Sequence, residues 1–68
     1  MKNTIKVERA RLSITQAELA DRVNVSRQTI NSIEIGKFVP STVLALKIAA
    51  VFETTVDQVF TLEVEDWR

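Results

Sequence analysis

Apolar residues recur three and four positions apart through most of this chain, and a few punctuating residues interrupt them. Ile5, Val7, Ala10 and Leu12 form a first stripe that ends near Ser13, predicting a helix of about three turns. Thr15-Gln16-Ala17-Glu18 then has the form of a capping box, in which a Thr hydroxyl accepts from the amide three residues on and the Glu reaches back. A second helix starts there, with Ala17, Leu19, Ala20 and Val23 as its buried side. It stops at Asn24, a residue that tolerates the left-handed conformation in which helices often end. Ser26 is a good N-cap for a third helix, whose stripe is Ile30 and Ile33 with Val25 just before it, and Gly36 terminates it.

Phe38, Val39 and Pro40 predict an extended connector, because the residue before proline is pushed out of the helical region. Ser41 caps a fourth helix. Val43, Leu44, Leu46, Ile48, Ala49, Val51 and Phe52 are apolar on more than one face, so that helix is expected at the centre of the domain. Thr55-Val56-Asp57-Gln58 repeats the capping-box pattern and opens a short fifth helix through Val59 and Phe60. The tail over 61–68, TLEVEDWR, alternates, which predicts a short strand. A lone strand is not stable, so its partner is either the N-terminal Lys2 to Ile5 or the same tail of a second subunit.

The two helices flanking Asn24, over 16–35, have the spacing of a helix-turn-helix. Ala20 allows a close crossing, and Leu19, Val23, Val25, Ile30 and Ile33 are apolar on both sides of the corner. Breaking the chain at Asn24 sends the third helix off at an angle that leaves its amino end and outer face projecting. With Ile30 and Ile33 turned inward, that face carries Arg27, Gln28, Asn31 and Ser32. Arg suits the O6/N7 pair of guanine, and Gln or Asn the N6/N7 pair of adenine.

Composition bounds the alternatives. Sixty-eight residues make one small domain with a limited core, and cysteine and histidine are both absent, which removes disulfides and the usual zinc ligands. No metal or other cofactor is expected. Catalysis has little to stand on, since most Asp, Glu and Ser residues serve as caps or exposed helix charges, so the chain is not expected to be an enzyme. The longest apolar run, Ile48 to Phe52, is too short to span a bilayer, and Met1 to Arg11 lacks a signal-peptide core. A soluble cytoplasmic protein is the expectation. The formal net charge is zero, yet residues 1–37 carry seven basic against four acidic side chains, and residues 38–68 carry two against five. One surface is therefore expected to attract phosphate and another to be kept away from it, against the alternative of charges scattered by chance over a solvated surface.

TQAELA, the VSRQTINSIE block, GKFVPS and the LALKIAAVF helix together resemble the Cro/phage-repressor (XRE-type) helix-turn-helix family over about Ile5 to Phe60. The resemblance implies an all-α, five-helix, lambda-repressor-like domain that binds operator DNA as a homodimer. It is especially similar to short stand-alone members with a few terminal strand residues, which form rigid dimers. Carried onto this chain, the resemblance makes Arg27 and Gln28 the main base readers, with Asn31 and Ser32 further along the groove. Gln16 and Lys37 take phosphate contacts, with Thr15 and the backbone amide of Phe38 beside them. Arg9 and Glu34 form an internal ion pair between the first and third helices. Two departures stand out: Asn24 replaces the usual turn glycine, and no arginine follows Pro40 to reach the minor groove.

The function these residues imply is sequence-specific regulation of transcription, more in the manner of a repressor than an activator, at a palindromic operator. The competing expectation is a protein-interaction module, such as a toxin-neutralising antitoxin or a bridging cofactor, with the acidic tail and Trp67 as the contact. No cavity-forming domain is evident, so no small-molecule ligand is expected.

Overall fold

A computed structural model describes all residues, Met1–Arg68. The elements run β1 (Lys2–Asn3), α1 (Ile5–Leu12), α2 (Gln16–Val23), α3 (Arg27–Glu34), α4 (Thr42–Val51), α5 (Val56–Val59) and β2 (Phe60–Thr61), followed by a 3₁₀ turn over Val64–Trp67. The chain is all-α apart from the two short strands, as the apolar periodicity predicts.

Local chemistry fixes most of the helix ends. Thr15 Oγ1 accepts from the Glu18 amide at 3.0 Å while Glu18 Oε1 accepts from the Thr15 amide at 3.0 Å, closing the predicted capping box. Ser26 and Ser41 cap α3 and α4 through Thr29 and Leu44 amides at 3.1 and 3.2 Å. Asn24 ends α2 with φ 61°, the left-handed conformation its short amide tolerates. The amide of Val25 then donates to the Ala20 carbonyl at 3.0 Å, which turns the chain sharply into α3. Gly36 follows α3 with φ 81°, and an added Cβ would meet nothing within 4 Å, so glycine is there for its backbone and not for space.

The core consists of side chains from every helix: Ile5, Leu19, Ala20, Val23, Ile30, Ile33, Leu44, Ile48, Ala49, Phe52, Val59 and Phe60, with Ile14 from the α1–α2 link. α2 packs on both α3 and α4, and α4 packs on α5. No helix is long and apolar enough to cross a membrane.

Five sequence expectations need correction. Ala17 is exposed, because Leu19, Ala20 and Val23 set the inward face and Ala17 lies about 110° round the helix from its centre. Val7 and Ala10 do not join the core either, leaving Ile5 as the buried anchor of α1. Only one side of α4 is covered: Leu44, Ile48 and Ala49 are buried, whereas Val43 and Leu46 are 62% and 55% exposed. The Thr55 hydroxyl makes no cap bond, so α5 is a single turn without a capping box. The tail is a strand only at Phe60–Thr61, paired antiparallel with β1 of the same chain in the register Lys2 with Thr61 and Asn3 with Phe60. Beyond it Glu63 and Asp66 close a capping box, and their carboxylates hold the Met1 ammonium at 3.0 and 3.2 Å, which curls the chain into the 3₁₀ turn.

Candidate nucleic-acid interface

The third helix presents its outer face as the crossing at Asn24 requires. Ile30 and Ile33 are buried against the core, while Arg27, Gln28 and Asn31 are exposed and Ser32 is half-buried. Three surface depressions follow one another around this helix. The first is bordered by Arg9, Thr15, Gln16, Ala17 and Arg27, the second by Gln16, Arg27, Gln28 and Asn31, and the third by Gln28, Ser32, Lys37 and Phe38. Gln16, Arg27 and Gln28 are each shared between neighbours, so the depressions form one continuous polar track. Every residue assigned from sequence to base or phosphate contact lies on it.

Beneath the track runs an ion pair. Arg9 Nε donates to Glu34 Oε2 at 2.7 Å and Nη2 to Glu34 Oε1 at 3.2 Å, and the remaining Nη1 donates to the Ile14 carbonyl at 3.2 Å. Both side chains are largely covered, at 16% and 8% exposure, so α1 and α3 are clamped by a charge pair with little solvent around it. Gln16 leans on the same pair: its Nε2 donates to Glu34 Oε1 at 3.3 Å and to Asn31 Oδ1 at 3.1 Å. Its Oε1 accepts from Arg27 Nε at 3.4 Å.

Two assigned contacts meet competition inside the protein. Both N–H donors of the Gln16 carboxamide are engaged by Asn31 and Glu34, and the Phe38 amide already donates to the Ser32 carbonyl at 3.2 Å. What remains open for a phosphate at the start of α2 are its first backbone amides, which have no acceptor within the helix. Lys37 stays exposed at the far end of the track, its backbone pinned by a 2.9 Å bond to the Ser32 carbonyl.

Sequence reasoning missed Asn3. Its Nδ2 donates to the Ile33 carbonyl at 2.9 Å and its Oδ1 accepts from the Ile5 amide at 3.2 Å, joining β1, α1 and the end of α3. Arg11, one of the seven basic residues of 1–37, is tied to the Phe52 carbonyl at 2.9 Å and to Glu8 at 2.8 Å, away from the track. Ile33 and Phe52 are both distant in sequence from the side chains that reach them, so no local pattern announces either bond. No cluster of three or more acidic, His or Cys side chains is arranged to hold a metal.

The profile described as Helix-turn-helix matches residues 5–59, which is α1 through α5. The chain belongs to the helix-turn-helix family. Within it the match is of the Cro/phage-repressor (XRE) type. A relative from Bacillus subtilis, named an uncharacterized HTH-type transcriptional regulator, is 47% identical over 66 residues, covering 97% of this chain and 100% of the relative. One from Methanocaldococcus jannaschii with the same description is 48% identical over 63 residues, covering 93% and 96%. Another, from Archaeoglobus fulgidus, is 46% identical over 66 residues, covering 97% and 93%. As a helix-turn-helix protein the chain thus has full-length relatives of its own size, and α2 and α3 are the motif for which the family is named.

Proposed function

We propose that this chain is a sequence-specific DNA-binding regulator of transcription, acting as a homodimer with α3 in the major groove of each half of a palindromic operator. The observation that carries this reading is the continuous polar track around α3, where Arg27, Gln28 and Asn31 are exposed and flanked by Thr15 at one end and Lys37 at the other. A helix entering the major groove meets bases with its outer side chains and phosphates with the groups at its flanks, and this order of residues supplies both. Backbone contacts from Lys37 and the first amides of α2 set register. The side chains of α3 then read base edges.

The dimer is supported by α4. Val43, Leu46 and Ala50 share its outer face at i, i+3 and i+7, and all three are exposed. Leu46 also borders a mostly apolar cavity of about 220 Å³ with Met1, Val39, Pro40, Ala45, Val56 and Phe60, none of which belongs to α3. An apolar face outside the reading helix lets two copies join while both tracks stay free. Two half-sites one helical turn apart, about 34 to 36 Å, would then be read together. Occupying such a site occludes a promoter, so repression is the regulatory sense we assign.

Selection of bound duplexes from a random pool, followed by salt titration of the best sequence, tests this. A palindromic site and an affinity that falls steeply with salt are expected. Failure to enrich any duplex sinks the reading. Trp67, 78% exposed on the terminal 3₁₀ turn, is the observation that favours a protein-interaction module instead. That alternative gains if the purified chain shifts no DNA at any salt concentration.

A further inference from the structure

Hydrogen-bond polarity is set along the track from the inside outward. Arginine can only donate and an ionised carboxylate can only accept, whereas a carboxamide does either according to how it is turned. Glu34, held by Arg9, is therefore an obligatory acceptor for Gln16 and requires the Nε2 end of that carboxamide to face it, as the 3.3 Å contact has it. Arg27 is an obligatory donor and requires the Oε1 end to face it, at 3.4 Å. Gln16 is thus locked in one orientation by two partners that cannot exchange roles. Its second Nε2 proton meets Asn31 at 3.1 Å, and that contact requires Oδ1 of Asn31 to turn back toward α2. The Nδ2 group of Asn31 has no acceptor within the protein and is left to bind outward.

Resting on the DNA-binding reading above, we infer that Gln16 is a specificity-positioning residue which makes Arg27 and Asn31 a donor-only pair, selecting bases that present acceptors to both. Arg27 spends Nε on Gln16 and keeps its two terminal nitrogens for the O6 and N7 of a guanine. Asn31 loses the paired acceptor and donor that an adenine edge demands, because its oxygen is withdrawn. It favours guanine O6/N7 or thymine O4 instead. The residue expected from chemistry alone to read adenine on this part of α3 is thereby turned against it, while Gln28, outside the Gln16 network, keeps both ends of its carboxamide.

The test is duplex selection with the full chain, Asn31→Ala, Gln16→Ala and Gln16→Met, each checked for a native helical circular dichroism spectrum and melting curve. Asn31→Ala identifies the base pair that Asn31 reads, as the position where preference relaxes. At that position the natural chain is expected to disfavour adenine about tenfold. Both Gln16 variants free Oδ1 and are expected to bring adenine to within about twofold of the preferred base, and to weaken the guanine preference opposite Arg27. A merely structural Gln16 would lower affinity for all sequences without admitting adenine at one position. Adenine enriched under Asn31 by the natural chain, unchanged preference in both Gln16 variants, or no position affected by Asn31→Ala overturns the inference and leaves DNA binding intact. Absence of any enriched duplex with the natural chain overturns both.

Discussion

Arg9 and Glu34 meet through two parallel N–H···O bonds of 2.7 and 3.2 Å, bridging helices whose paired residues are 25 positions apart in sequence. Removing one partner leaves the other charge in a site with little water, a loss that typically costs about 3 to 5 kcal/mol. Arg9→Ala is expected near the lower end, because Glu34 keeps the Gln16 donor. Denaturant unfolding should show each single variant much less stable than the double replacement Arg9→Met/Glu34→Leu. Equal midpoints for Arg9→Ala and the natural chain would show that the bridge contributes nothing to stability.

Gln28 stands on the outer face of α3 between the second and third depressions. Replacing it by alanine should relax preference at one base pair of each half-site, with a discrimination loss of about 1 to 3 kcal/mol there. Binding measured against single-base variants of the selected site checks this. Selectivity that does not change at any position contradicts its role as a reader.

Lys37 is expected to act on phosphate alone. Lys37→Ala should weaken binding to all duplexes alike and reduce the slope of log affinity against log salt by about 0.9 for each phosphate it no longer neutralises. Weakening confined to one operator sequence would move Lys37 into the base-reading set.

Three titrating groups make a pH-dependent contribution to stability. The amide of Thr15, and next its hydroxyl, hold the Glu18 carboxyl below its ordinary 4.5, and the Glu63 amide, then the Met1 ammonium, hold Asp66 below its ordinary 3.8. Depressed carboxyls stabilise the fold above their unfolded values, and that contribution is lost as pH falls through the lower folded ones. The Met1 ammonium is raised above 8.0, chiefly by Glu63 and then Asp66. Its contribution is complete below 8.0 and is lost as pH rises through the raised value. Melting temperature is expected to be flat between these limits and to fall on both sides. Glu18→Gln should flatten the acid limb, whereas Asp66→Asn should flatten both limbs. An Asp66→Asn profile that parallels the natural one across the alkaline range would contradict the assignment.

The outer face of α4 predicts association. Leu46→Glu places a charge where Leu46, Val43 and Ala50 are bare, and should convert a dimer to a monomer in analytical ultracentrifugation while α3 keeps its fold. DNA affinity should drop because two linked half-site contacts become one. A natural chain that sediments as a monomer at high concentration rejects the homodimer.

Much of this architecture was legible in the sequence because caps and turns are local devices. Thr15 with Glu18, Ser26 with Thr29 and Ser41 with Leu44 are each three residues apart, and each forms the bond its residue types predict. Asn24 likewise adopts the left-handed turn its chemistry allows. Contacts between distant segments were not legible. The alternating tail satisfies a strand pattern, but β1 offers only two residues for pairing, so the ladder ends at Thr61. An α4 that is apolar on more than one face implies a central position, and periodicity does not tell how many neighbours are available in one chain. Gln16 was assignable as a residue at a helix start, yet its competition between Glu34, Asn31 and Arg27 depends on how α2 crosses α3. The amide of Phe38 was spent on Ser32 by the backbone path after Gly36, which side-chain identity does not reveal.

The carboxamide of Asn3 fastens the strand ribbon to the last turn of α3 through the Ile33 carbonyl. No free joint separates the two, so a tilt imposed on the chain ends is handed directly to α3. In the proposed dimer, joined through α4, the ribbon, α1 and α3 of each copy would then shift as one block, so a change in operator spacing would be taken up at the α4 seam instead of by a swivel of α3.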